Sequence, residues 1–110
     1  MKPNLEIILN GNLVIEYPRS TRLPGKQREF LDFMDFDMDE GINLEGEIID
    51  SPDKQQRSRY VSMKLFQALK SNNKGRLTAS CAYLVNRQPE LLKIKANEEG
   101  ETVILELVFE

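Results

Sequence analysis

The sequence contains no histidine, no tryptophan and only one cysteine, Cys81. Without histidine, the chain cannot build a Ser-His-Asp or Cys-His catalytic arrangement from its own residues, nor a zinc site that uses imidazole. A single cysteine cannot form an intramolecular disulfide or a cysteine-rich metal site. Any catalysis by this chain would therefore depend on carboxylates, lysine, tyrosine or a borrowed metal.

Long apolar runs are also absent, and none approaches the roughly 20 residues that cross a bilayer. Residues 1–5 lack the apolar stretch of a secretory signal, and with the lone Cys81 this predicts a cytoplasmic location. The segment around Gly75 lacks the glycine spacing of a phosphate-binding loop. We therefore expect no membrane association and no bound cofactor.

The composition is that of one ordinary domain. The chain has 110 residues, of which 40% are hydrophobic and 30% charged, so residues 1–110 are expected to share one core. The net charge is −3. Nucleic-acid binding is therefore unlikely from composition, because it draws most of its affinity from neutralising phosphates.

Charge is segregated along the chain. Residues 29–53 contain ten carboxylates and no lysine or arginine, whereas residues 54–76 contain seven cations and no carboxylate. Blocks of one sign create fields that act on ions, partners or neighbouring elements. If the helices in the two blocks pack antiparallel, the acidic end of the first helix meets the basic start of the second, and the segregation sets the helix register. The acidic end is Asp35, Asp37, Asp39 and Glu40, and the basic start is Lys54, Arg57 and Arg59.

Hydrophobic periodicity and turn residues predict the order ββαααββ. The predicted elements are a hairpin with a loop at 10–12, helices over about 26–40, 51–72 and 76–87, and a hairpin with a turn at 99–100. Ser51 is the predicted cap of the second helix, with Pro52 at its first position.

The hairpin registers follow from matching apolar faces. A three-residue loop at 10–12 pairs Ile7 with Ile15 and Leu9 with Leu13. In the second hairpin, a two-residue turn at 99–100 pairs apolar with apolar residues on one face and charged residues on the other. Its expected pairs are Ala96 with Val103, Ile94 with Leu105, Leu92 with Leu107, and Lys93 with Glu106.

Each predicted helix has an apolar face. The expected core residues are Phe30, Leu31, Phe33, Met34 and Met38 in the first helix; Val61, Leu65, Ala68 and Leu69 in the second; and Leu77, Cys81, Leu84 and Val85 in the third. Asp32, Asp35 and Asp39 share the opposite face of the first helix. Cys81 is expected to fill the core rather than react, because a buried thiol without a cationic neighbour stays protonated.

Two hairpins side by side predict an α+β fold, with a mainly antiparallel four-stranded sheet packed against three helices. The last strand, 103–109, is apolar on one face and partly apolar on the other. Such a strand is expected to lie at the centre of the sheet or to pair across a subunit interface, since an exposed apolar edge invites aggregation. We therefore predict a homodimer formed through the C-terminal strand.

Three groups of residues are candidate sites. In the acidic segment 32–47, Asp35, Asp37 and Asp39 match the first ligand spacings of a calcium loop, and Glu47 lies near its end, but the required glycine and final glutamate are out of place. Basic side chains before and within the first helix form a candidate anion site: Arg19, Arg22, Lys26 and Arg28. The polar face of the second helix mixes basic, aromatic and Met side chains, a composition suited to a protein interface: Arg57, Tyr60, Met63, Lys64 and Gln67.

The missing catalytic groups favour a small non-catalytic cytoplasmic accessory or regulatory domain that acts through protein–protein interaction. Whether the chain has any enzymatic activity is left open, with a non-enzyme favoured. One alternative is a divalent-metal-binding protein or metal-dependent enzyme that uses the acidic segment. A second alternative is RNA or phospho-ligand binding through basic residues of the second helix.

Overall fold

The computed structural model describes residues 4–19, 25–44 and 46–110. It contains three helices and six strands in these ranges: β1 (Leu5–Leu9), β2 (Asn12–Tyr17), α1 (Gly25–Asp39), β3 (Ile42–Leu44), β4 (Glu47–Ile49), α2 (Lys54–Lys70), α3 (Lys74–Arg87), β5 (Leu91–Glu99) and β6 (Thr102–Phe109). The α+β class is confirmed. The predicted order ββαααββ is matched except for the short β3–β4 hairpin between α1 and α2.

The main sheet has four strands in the order β2-β1-β5-β6. Its two hairpins are antiparallel, but they join through β1 and β5, which run parallel. The sheet is therefore mixed, and the prediction of a mainly antiparallel sheet is only partly right. A parallel pair needs a long crossover, and here all three helices lie between the two central strands in the chain.

The first hairpin differs from its predicted register at the turn. Ile7 pairs with Ile15 as expected, but Leu9 pairs with Asn12 rather than with Leu13, and a bulge follows Ile7. The turn is Asn10-Gly11, with φ of 51° and 81°, which suits the Asn-Gly preference of a type I′ turn. The bulge adds one extra residue to β2. A two-residue turn is therefore compatible with the predicted pairing of Ile7 with Ile15 on the far side of the bulge.

The second hairpin is shifted by two residues from the prediction. Ile94 pairs with Leu107 and Lys95 with Glu106, and the turn lies between Glu99 and Thr102. Gly100 takes a φ of 64° at the first turn position, where a type II′ turn favours glycine. From Ile94 to Glu99 a shift of two residues leaves the side chains on their predicted face, so hydrophobic pattern alone could not distinguish the two registers there. Nearer the start of β5 an irregularity between Leu91 and Lys93 changes the face, and Leu91 rather than Leu92 is fully buried.

One face of the sheet forms the core with the helices. Leu5, Ile7, Ile94, Ala96 and Leu105 are all buried on this face. They belong to one continuous cluster with side chains from all three helices, namely Leu31, Met38, Val61, Leu65, Phe66, Cys81, Ala82, Tyr83 and Leu84. The opposite face of the sheet carries charged pairs, including Lys93 with Glu6 at 3.5 Å and Lys95 with Glu106 at 3.7 Å.

Strand β6 lies at the edge of the sheet, so the prediction of a central position for it is wrong. Arg59 of α2 donates to the carbonyl of Leu105 at 3.4 Å, and Ile104 remains 47% exposed. Pairing of β6 across a subunit interface stays a prediction.

Helix α2 begins two residues later than predicted. Its N-cap is Asp53, whose carboxylate accepts from the Gln56 amide at 2.8 Å, while the Gln56 side chain accepts from the Asp53 amide at 2.8 Å. This reciprocal pair is a capping box. Ser51, the predicted cap, instead has a φ of 53° before the helix. Helix α3 begins at an Asn73 cap and packs against α2.

The predicted core face of α1 is only partly right. Leu31 and Met38 are buried and Met34 is half-buried, but Phe30 and Phe33 are 51% and 61% exposed. Phe36 is also 61% exposed. The apolar arc of α1 is wider than the strip that reaches the core, so one edge of it lies in solvent.

Within the described residues, no helix is long and apolar enough to cross a membrane.

Candidate functional site

The five residues predicted as an interaction surface divide among three places on α2. Tyr60 and Lys64 line a groove between α2, α1 and β3. Met63 and Gln67 line a separate recess between α2 and one end of the sheet, together with Leu9, Phe66, Lys70, Glu98, Glu101 and Val103. Arg57 is only 17% exposed at its side chain and turns toward α1. The structure thus brings Tyr60 and Lys64 together and separates Arg57 from them.

The groove beside Tyr60 has an apolar floor. Met34 and Met38 of α1, Ile42 of β3 and Val61 of α2 line it, and its volume is about 150 Å³. Met38, Ile42 and Val61 are buried members of the core cluster. The groove is therefore built on rigid parts of the fold rather than on a loop.

Two charged side chains and one aromatic ring border the groove. Lys64 places its Nζ 5.4 Å from the centroid of the Tyr60 ring, within the range of a cation–π contact. Asp37 of α1 also lines the groove and is exposed. Among the described residues neither Lys64 nor Asp37 takes part in an ion pair, so both charges remain available to a bound group.

A polar cluster joins the three helices beside this groove. The carboxylate of Asp35 accepts from Tyr83 Oη at 2.6 Å and from Arg57 Nη1 at 3.0 Å, and it lies 3.5 Å from Arg87 Nη1. Arg57 also pairs with Asp39, and Arg87 pairs with Asp32. Asp35 thus receives donors from both α2 and α3.

Arg57 is held on several sides. It donates to the carbonyl of Pro52 at 3.0 Å and to that of Asp35 at 3.2 Å, in addition to its two ion pairs. The hydrogen bond to Asp39 raises the pKa of Arg57, and that to Asp35 adds to the effect against the opposing cost of desolvation. Asp35 and Asp39 at the acidic end of α1 therefore meet Arg57 near the start of α2, as charge segregation favoured. The other predicted members contact different groups: Lys54 pairs with Glu90 at 3.8 Å, Arg59 contacts β6, and Asp37 lines the groove.

The side chain of Tyr83 stays protonated in the fold. Burial, and then the hydrogen bond to Asp35, raise the pKa of Tyr83 well above its usual value. Tyr83 therefore keeps its proton and donates a hydrogen bond to Asp35, whose carboxylate also accepts from Arg57. This arrangement suits a structural connection, because the raised pKa of Tyr83 leaves it poorly able to give up its proton to a substrate.

The four predicted metal-binding carboxylates are not gathered into one site. Asp35 and Asp39 contact Arg57, whereas Asp37 lines the groove with Tyr60, and Glu47 lies in β4. In the part of the chain that the structure describes, no three acidic or cysteine side chains are grouped in a way that could hold a metal ion.

The three described residues of the predicted anion site are likewise spread out. Arg19 donates to the carbonyls of Pro89 and Leu91, and burial lowers its pKa. Lys26 lines a recess with Tyr17 and Phe30, and Arg28 is exposed on α1. Arg22 lies outside the described residues.

The exposed phenylalanines of α1 were missed as candidate functional residues. Phe30 and Phe33 were placed in the core because they fall within the same broad sector as Leu31 and Met38. The sequence did contain a signal for this second face. When residues are placed every 100° around the helix axis, Phe36 falls outside the sector that contains Leu31 and Met38. A helix with aromatic residues beyond its core sector has a second apolar face.

No family model, no curated protein and no solved structure matches this chain.

Proposed function

We propose that this chain is a non-catalytic accessory or regulatory domain of the cytoplasm that binds another protein through the groove beside Tyr60. The observation that carries this proposal is the size and lining of the groove. Its volume of about 150 Å³ is near half the ~300 Å³ at the lower end of small-molecule sites. A groove of this size suits one inserted side chain.

The lining indicates which side chain the partner supplies. Met34, Met38, Ile42 and Val61 offer an apolar floor, so the inserted side chain is apolar. Partners commonly anchor in this way, with one buried residue contributing much of the binding energy. Lys64 at the rim favours a carboxylate of the partner next to that anchor, because its charge is not neutralised by an ion pair among the described residues.

Tyr60 makes the rim rigid. Its ring is stacked under Lys64 and it packs against the core cluster, so it loses little freedom when a partner binds. Aromatic residues with this kind of support are enriched among the side chains that dominate interface energies.

The test uses a photo-crosslinking amino acid at position 64. We expect one discrete product with a partner protein, and no such product with the same amino acid at position 74. Lys74 is a suitable control because it is also an exposed helical lysine but does not line the groove.

Binding of the identified partner is then measured by calorimetry. Tyr60→Ala and Lys64→Glu should each weaken it about tenfold or more, whereas Lys74→Glu should leave it unchanged. Equal products at both positions, or equal affinities for all three variants, would reject the proposal.

A further inference from the structure

The recess between α2 and one end of the sheet is separate from the groove beside Tyr60 and is larger. Its volume is about 260 Å³, against about 150 Å³ for the groove, and it approaches the ~300 Å³ at which small-molecule sites begin. Met63 and Phe66 line it from α2, and Leu9 and Val103 line it from the sheet. A space of this size, with apolar side chains from two elements, suits a whole small molecule rather than one inserted side chain.

The apolar lining is fixed by the core. Phe66 is buried in the core cluster, and Leu9, Met63 and Val103 are half-buried and pack against that cluster. The thioether of Met63 and the ring of Phe66 both make favourable contacts with aromatic rings. An aromatic ring is therefore a suitable apolar body for a ligand of this recess.

Glu98 is held at the rim of the recess by two other side chains. Its backbone amide donates to Oδ1 of Asn10 at 2.8 Å, and its Oε1 accepts from Nδ2 of Asn10 at 3.1 Å. Its Oε2 forms an ion pair with Lys70. The hydrogen bonds from Lys70 and then from Asn10 lower the pKa of Glu98. Glu98 is therefore ionised with both oxygens engaged, and it neutralises Lys70 within the fold.

Glu101 gives the recess an unbalanced charge. It lines the recess and is exposed, and no described residue forms an ion pair or a hydrogen bond with its carboxylate. The charged lining consists of Lys70, Glu98 and Glu101, so its net charge is −1. An anionic ligand would be repelled, whereas a cationic group pairs with Glu101 without displacing an internal partner.

We infer that this recess binds a small organic amine in its protonated form. The apolar body of the amine lies between α2 and the sheet, and its ammonium group lies against Glu101. The side-chain carbonyl of Gln67, which also lines the recess, is a second acceptor for the ammonium group. The inference does not rest on the proposed function, because the site and the class of ligand are both different.

The experiment is calorimetric titration of the full chain with phenethylamine at about pH 7, where an aliphatic amine is protonated. A ligand of this size should bind with a Kd of about 0.1–1 mM. Phenethyl alcohol carries the same ring without a charge, and phenylpropionate carries the opposite charge. Both should bind about tenfold more weakly or worse. Equal binding of the three compounds, or no saturable heat with the amine, would overturn the inference.

Methionine methyl signals in NMR spectra locate the bound amine. Met63 lines the recess, whereas Met34 and Met38 line the groove beside Tyr60. Phenethylamine should shift the signal of Met63 and leave those of Met34 and Met38 in place. Shifts of the two groove methionines without one of Met63 would place the amine elsewhere and reject the assignment.

Two variants of Glu101 test the role of its charge. Glu101→Gln keeps the shape of the side chain and should weaken amine binding about tenfold. Glu99→Gln is the matched control, because Glu99 is exposed in the same hairpin and does not line the recess; its affinity should be that of wild type. Glu101→Lys should reverse the preference, so that phenylpropionate binds more tightly than phenethylamine.

Both glutamates are exposed beside the turn, so circular dichroism of all three variants should match wild type. Equal weakening by Glu99→Gln and Glu101→Gln, or an unchanged preference in Glu101→Lys, would contradict the inference. Crosslinking at position 64 reports on the groove alone, so the two proposals fail separately.

Discussion

Helices α1 and α2 have similar lengths, 15 and 17 residues, yet they are attached to the fold in different ways. Helix α2 buries six residues along its length, including Val61, Leu65 and Phe66. Helix α1 buries Leu31 and Met38 and is otherwise held by ion pairs to Arg57 and Arg87. A helix attached through one polar face can keep a second apolar face for binding.

The largest effect should come from breaking the apolar attachment of α2. Leu65 is fully buried in the core cluster, and Leu65→Ala should lower the free energy of unfolding by about 2–5 kcal/mol. Urea denaturation followed by circular dichroism measures this. Gln67→Ala is the control on the same helix; it is exposed and should stay within about 0.5 kcal/mol of wild type. Equal losses in both variants would contradict the packing described for α2.

High pH should weaken the core before it weakens the polar cluster. Burial raises the pKa of Cys81 from 9.0 to about 12, so between these values the unfolded chain loses a proton that the folded chain keeps. Stability should therefore fall as pH rises above 9, by about 1.4 kcal/mol per unit for this group. The raised pKa of Tyr83 adds a second loss above pH 10.

Urea midpoints measured from pH 8 to 11 test this pH dependence. Cys81→Ala should lower stability below pH 9 but flatten the fall between pH 9 and 10, and Tyr83→Phe should flatten only the part above pH 10. A stability that rises with pH in this range would contradict the assigned burial of both groups.

The polar attachment of α1 should contribute less than the apolar attachment of α2. Asp35→Asn removes the negative charge that pairs with Arg57 and Arg87 and accepts from Tyr83. The free energy of unfolding should fall by about 1–3 kcal/mol. Asp37→Asn is the matched control, because it makes the same chemical change two residues later on α1, at an exposed side chain that makes no ion pair with the described residues. Its unfolding midpoint should be unchanged. Equal midpoints for the two variants would show that the cluster does not hold α1.

The smallest effect should come from one hydrogen bond in that cluster. Tyr83→Phe removes the hydroxyl that donates to Asp35 at 2.6 Å and keeps the ring, so stability should fall by about 1 kcal/mol. If Asp35→Asn and Tyr83→Phe act on the same contact, the double variant should lose less than the sum of the two. Simple additivity would place them in separate interactions.

The sequence predicted the elements better than their arrangement. The periodicity of α2 and α3 and the turn residues of both hairpins predicted those elements, because each signal is local. No local feature of the sequence indicates that β1 and β5 run parallel, because either strand could form its backbone hydrogen bonds equally well with an antiparallel neighbour. The three-residue strands β3 and β4 are too short for a periodic pattern to reveal.

The candidate site shows the same limit. Charge segregation predicted that the acidic end of α1 meets the start of α2, and Arg57 does contact Asp35 and Asp39 there. Arg57 was also assigned to an interaction surface, however, and sequence alone could not decide between an internal and an external partner. The exposed Phe30 and Phe33 were missed because a helical wheel gives the direction of a side chain and not how far the core extends around the helix.

The division of α1 into an attached face and a free face is tested most directly by comparing Phe33→Ala with Leu31→Ala. Urea unfolding at about 2 µM keeps a weakly associating chain monomeric. Leu31→Ala should lower stability by about 2–4 kcal/mol, and Phe33→Ala should leave it within about 0.5 kcal/mol of wild type. A loss for Phe33→Ala as large as that for Leu31→Ala would show that Phe33 belongs to the core and that α1 has no free apolar face.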